Sequence, residues 1–196
     1  MTLLLSSEQI LVLGGIVTAG SVICLASILV LHLLPTGYNP LRNAVSDYGV
    51  GKYRIWHRIA VLSLAAAGFA MAIASSGTAK PESSLVIGLL AIFAVVRTVI
   101  PFFPTDIEGQ KLTTRGRVHW ALAIITFASF GFAAGFYKGT GLDDAIGWVV
   151  VAALCLLLVS LLPRFRKALP VLERIFYFSM ICWFLITGIE LILLAA

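Results

Sequence analysis

Six apolar runs, each close to the length that crosses a bilayer, constrain this chain more than any other feature. They extend over residues 10–34, 56–76, 84–103, 118–137, 145–162 and 175–194. A hydrocarbon core takes about 20 mostly apolar residues as a helix. Backbone N–H and C=O groups find no water there, so a helix that satisfies its own is the natural solution. The expected fold is all-α, a polytopic transmembrane bundle of six spans forming one domain over residues 1–196. Only 12% of the residues are charged, against roughly 25% in soluble domains.

The first run is longer than the roughly 7–15 apolar residues of a signal peptide and has no basic residue ahead of it, so it is expected to be retained as a span. Basic residues outside the runs are unevenly divided. Arg42, Lys52, Arg54 and Arg58 surround the first loop, Lys111, Arg115 and Arg117 the third, and Arg164, Arg166, Lys167 and Arg174 the fifth, whereas the second and fourth hold only Lys80 and Lys138. The positive-inside rule then puts loops one, three and five in the cytoplasm and both termini outside, in a plasma (inner) membrane. The net charge of +5 is explained by this topology, and nucleic acid is not expected as a partner.

Loops two and four, at 77–83 and 138–144, read as plain helix hairpins. Loops one and three, at 35–55 and 104–117, are longer and more polar, as functional loops tend to be. Gly131 with Gly135, and Ala65, Ala66, Gly68 and Ala72, are small residues that let helices approach closely in lipid. Cys24, Cys155 and Cys182 all fall inside runs without a paired motif and read as packing residues.

Polar residues that carry chemistry gather where loops one, three and five meet. His32, His57 and His119 all lie within about two turns of that end. Histidine changes charge near neutral pH and also ligates metals. His32 reads as a ring at the membrane interface, whereas His57 and His119 each follow a loop carrying an aspartate, Asp47 and Asp106. A metal held by these four would have to be assembled from separate segments, so an acid–base or hydrogen-bonded network is preferred and no metal is assigned.

Arg97 lies inside the third run, about six residues and roughly 9 Å from its end. An intramembrane guanidinium is costly and should face the bundle interior, toward an anionic ligand or, on the plainer reading, an ion pair with Asp47, Asp106 or Glu173. Ser46 beside Asp47 resembles a nucleophile beside a base, and equally resembles turn or capping chemistry. Pro101 and Pro104 should end the third span ahead of Asp106. Glu173 and Arg174 are expected to open the sixth span, Glu173 favouring the helix dipole. Glu190 is expected at the opposite interface.

Asn43, Ser46, Asp47 and Gly49 in NAVSDYG, Arg97 followed by FPTD ending at Asp106, His119, and ERI at Glu173 to Ile175 together carry a family resemblance. Over nearly its whole length the chain resembles bacterial membrane proteins grouped as the domain of unknown function 998 family. The resemblance implies a small six-helix integral membrane protein without an established role. It also implies that Asn43, Ser46, Asp47, Arg97, Asp106, His119, Glu173 and Arg174 belong together, with His32 and His57 less clearly part of the pattern.

Three functions are consistent with this. One is an enzyme acting on a lipid or lipid-linked substrate, with Asp47, Asp106 and His119 as acid–base candidates and Asn43, Ser46, His57, Arg97, Glu173 and Arg174 as binding candidates. Another is a binding or transport protein for an anion, a proton or a lipid headgroup. The third is a structural subunit whose polar cluster locks helix ends together. The expected partner is membrane lipid or a lipid-like anionic ligand, and cofactor and oligomeric state are left open.

Overall fold

Six helices form where the apolar runs lie. A computed structural model of the chain describes residues 5–78, 82–107, 111–139 and 141–196. Lys80, counted above in the second loop, lies outside the described residues. The helices are α1 (Ser7–Leu33), α2 (Arg54–Gly77), α3 (Ser84–Val99), α4 (Thr114–Phe136), α5 (Leu142–Val159) and α6 (Leu169–Ala195). With the short 3-10 turns that extend α3 and precede α6, all six are long and apolar enough to cross a membrane.

Local chemistry sets their ends. Ser6 and Gln9 cap α1 reciprocally, Gln9 N–H donating to Ser6 Oγ (3.2 Å) and Ser6 N–H to Gln9 Oε1 (2.9 Å). Ser83 caps α3, and Thr113 caps α4 by accepting from Gly116 N–H at 3.1 Å. Pro101 turns the end of α3 into a 3-10 segment, Ile100–Phe102.

The sixth helix departs most from expectation. It starts at Leu169, after a 3-10 turn Pro163–Ala168, with Pro170 in its first turn. A proline's missing N–H costs nothing there, because first-turn N–H groups have no intrahelical partner. Glu173 and Arg174 therefore lie one turn inside α6, and Glu173 does not cap it.

Each helix packs against its neighbours in chain order, and α6 closes on α1, so the six form a ring. Rings from three helices fill its interior: Phe93 of α3, Phe130 of α4, and Trp183 and Phe184 of α6, with Phe130 and Phe184 centroids 5.1 Å apart. Large apolar residues such as Ile73, Val95, Trp148 and Phe178 are exposed instead, the pattern expected when lipid is the solvent.

Close packing matches the small-residue expectation. Phe93 of α3 lies on Gly68 of α2. Between α4 and α5, Gly131 receives Leu154, Gly135 faces Val151, and Gly147 rests on the Ala134 carbonyl, where a Cβ would stand 2.5 Å from the oxygen. These contacts pin the two helices together toward the end carrying loop four, whose Lys138 N–H donates to Glu82 Oε1 (3.1 Å). Loops one, three and five meet at the other end.

Candidate functional site

Loop one folds into a plug over that end. Its 3-10 segment Ser46–Gly49 buries Asp47 and Tyr48, each 2% exposed. Asp47 Oδ2 accepts from Asn43 Nδ2 and from Ala44 N–H, both at 3.1 Å. Burial pushes the Asp47 carboxyl above its ordinary range, opposed in part by those two donors and by the positive Arg174. The carboxylate thus turns back on its own loop, toward Asn43 and Ala44.

Two residues of α6 hold the plug. Glu173 Oε2 accepts from Val45 N–H at 2.8 Å, at the start of the 3-10 segment. Arg174 Nη1 donates to the carbonyls of Asn43 (2.7 Å) and Pro170 (2.9 Å), and its Nε donates to His32 Nε2 (3.3 Å). His32 Nδ1 donates to the Ile28 carbonyl at 2.7 Å, leaving Nε2 as the acceptor Arg174 needs. His32 is exposed and tied to the frame.

Loop three is fixed by Asp106. Thr113 N–H donates to Asp106 Oδ2 at 2.6 Å, and Thr113 Oγ1 donates to Oδ1 at 2.9 Å. The carboxylate sits at the N-terminus of α4, where the helix dipole favours it. Gly116 makes room, since a Cβ at that position would collide with the Asp106 carboxylate. One turn further, His119 Nδ1 donates to the Phe103 carbonyl at 2.7 Å. A carbonyl only accepts, so Nδ1 carries the proton and Nε2 is the acceptor in neutral His119. Among the described residues, neither Asp47 nor Asp106 hydrogen-bonds His119.

Behind the plug lies a narrow cavity of about 30 Å³, lined among others by Ser46, His57, Arg97, His119, Glu173 and Tyr177. Arg97 is 1% exposed, in the last turn of α3, with its guanidinium 4.8 Å from the Tyr177 ring centroid and 5.5 Å from that of Phe93. A helix C-terminus and two ring faces ease a buried cation. Even so, Arg97 Nε and Nη2 are buried without hydrogen-bond partners, and so is His57 Nε2. No carboxylate among the described residues forms an ion pair with Arg97.

The cavity shares Ser46, Thr105, His119, Ala123, Phe127 and Glu173 with a larger cleft of about 500 Å³ between α4 and α5. At its polar end the cleft also meets Asp47, Asp106 and Arg166. No group of three or more His, Cys, Asp or Glu residues among those described is arranged to hold a metal ion.

With this arrangement in view, residues 18–190 match the family described as Protein of unknown function (DUF998). The chain belongs to the DUF998 family. Comparison with curated proteins and with solved structures gave no match.

In this DUF998 chain, seven of the sequence candidates line the connected cavities: Ser46, Asp47, His57, Arg97, Asp106, His119 and Glu173. Asn43, within the plug, and Arg174, which holds it, stand behind them. Glu190 is at the opposite end, beside Asp143. Sequence reasoning missed Tyr177, Thr105, Thr113 and Gly116. Tyr177 follows Glu173 by four residues, the spacing that shares a helix face, and Thr113 is a plain N-cap residue ahead of α4.

Proposed function

We propose that this DUF998 protein binds the anionic headgroup of a membrane amphiphile at the cytoplasmic face of a bacterial plasma membrane. The observation that carries the proposal is Arg97, a fully buried guanidinium on the cavity wall with its Nε and Nη2 nitrogens lacking hydrogen-bond partners. Buried charged donors without partners are costly, and intramembrane charges commonly mark ligand sites. Nε and one Nη form the side-on fork that takes two oxygens of a phosphate or carboxylate. His57 and His119 add donor or acceptor nitrogens to the same cavity. The loop charge asymmetry supports the cytoplasmic orientation.

Binding is favoured over passage because fully buried Phe93, Phe130, Trp183 and Phe184 fill the ring interior. It is favoured over a His–Asp acid–base pair because both aspartates are engaged elsewhere, by Asn43 and Ala44 and by Thr113. It is favoured over a purely structural role because Arg97 lacks a carboxylate partner among the described residues.

The test is lipid retention by the full chain in nanodiscs of mixed phosphatidylglycerol and phosphatidylcholine, read by native mass spectrometry. Wild type should retain the anionic lipid preferentially. Arg97→Gln should lose that preference by about ten-fold, and Arg97→Lys should restore part of it as a point charge without the fork. Because no carboxylate is orphaned, Arg97→Gln should lower Tm less than breaking one side of a buried ion pair would. Unchanged preference in a folded Arg97→Gln protein overturns the proposal.

A further inference from the structure

The cleft between α4 and α5 changes character along its length. Ser46, Asp47, Thr105 and Asp106 lie at its loop end, with Leu161 beside them, while Ile124, Leu157 and Leu158 form its walls deeper in, where Ala123 and Phe127 are shared with the Arg97 cavity. Leu154 closes the far end beside Phe127, which also lines the Arg97 cavity, and Leu154 packs into Gly131, where the two helices come together. Pinned at one end by glycines and apart at the other, α4 and α5 form a wedge with a floor. Ile124 and Leu158 are 45% and 44% exposed, so the cleft has an open side on the lipid-facing surface.

We propose that this cleft takes the hydrocarbon chain of the same amphiphile whose headgroup lies against Arg97, the chain entering sideways from the bilayer between α4 and α5. The inference rests on the headgroup reading above and extends it to the ligand's other half. A volume of about 500 Å³ falls in the range of specific ligand sites. Its polar-to-apolar gradient matches an amphiphile lying along the helices with its head at the loop end. The six shared residues make the head and chain compartments continuous.

The floor gives the site a length limit. From His119 to Phe127 is eight residues, or roughly 12 Å of helix rise. A chain longer than the cleft must bend out through the open side, so affinity should rise with chain length and then level off. Arg166, with its guanidinium 6.0 Å from the Trp120 ring, stands at the rim and suits the same anionic head.

The experiment uses the full chain in phosphatidylcholine nanodiscs and an alkyl phosphate bearing a diazirine at the end of its chain, with crosslinked residues located by mass spectrometry. Labelling should concentrate on Phe127, Leu154, Leu157 and Leu158, and unlabelled alkyl phosphate should compete it away. Leu158→Trp, which narrows the open side, should reduce cleft labelling by about ten-fold. Leu156→Trp, at an exposed position outside the cleft lining, should leave it unchanged.

Labelling spread evenly over exposed positions such as Val149 and Leu156 overturns the inference, and so does cleft labelling that Leu158→Trp leaves intact. The headgroup reading is separated by Arg97→Gln. If cleft labelling persists at wild-type strength in that variant, the chain site stands and the Arg97 anchor fails. If anionic lipid depends on Arg97 while the cleft stays unlabelled, the anchor stands and the chain site fails.

Discussion

Asp47 is the residue where burial and hydrogen bonding pull hardest against each other. Its carboxyl titrates above the ordinary range because desolvation outweighs the donors Asn43 and Ala44. The folded protein therefore holds this proton more tightly than the unfolded chain does, and this group's contribution to stability falls as pH rises through the interval between the two values. Asp47→Asn keeps an oxygen for the same two donors and removes the titration. The Tm of Asp47→Asn minus that of wild type should be larger at about pH 7 than at about pH 4. A difference independent of pH would mean that Asp47 is not held in this way. The NAVSDYG segment announced a polar site, but the direction in which Asp47 points follows from the contacts of Asn43 and Val45 with Arg174 and Glu173 of α6, more than a hundred residues away.

At the scale of the helix, apolar length was legible because lipid imposes it, and all six runs became helices. Boundaries were less so. Leu169 to Arg174 contains a proline and two charged residues and reads as loop, yet Pro170 suits a helix start and Glu173 accepts a hydrogen bond from the loop residue Val45. The α4–α5 wedge was half legible: glycines marked close contact, but the cleft they leave depends on Leu154 filling the space at Gly131. Gly147→Ala puts a methyl against the Ala134 carbonyl and should cost about 1–3 kcal/mol. Gly88→Ala, at a helical position with nothing within 4 Å, should instead be neutral or gain up to about 1 kcal/mol from helix propensity. Thermal unfolding of both variants in one detergent checks the pair, and equal effects would mean that the α4–α5 contact is not close.

For the whole molecule, orientation decides which leaflet supplies the ligand. Glu82, Asp143, Asp144 and Glu190 belong to the end opposite the cavities, while Arg42, Lys52, Lys111, Arg115, Arg164 and Arg166 belong to the cavity end. Short basic loops resist translocation, so the cavity end should stay in the cytoplasm and the amphiphile should come from the inner leaflet. Arg97 is not part of that bias, because it lies inside a span rather than in a loop. With Cys24, Cys155 and Cys182 replaced by serine or alanine, single cysteines at exposed Lys138, Lys52 and Lys111 report the two faces. A membrane-impermeant maleimide applied to intact cells should label Lys138→Cys alone, and all three after permeabilisation. The reverse pattern would put Arg97 and the cleft mouth toward the outer leaflet and overturn the cytoplasmic assignment while leaving the ligand chemistry intact. Labelling of all three in intact cells would mean that both orientations are inserted, and that loop charge does not decide the topology of this chain.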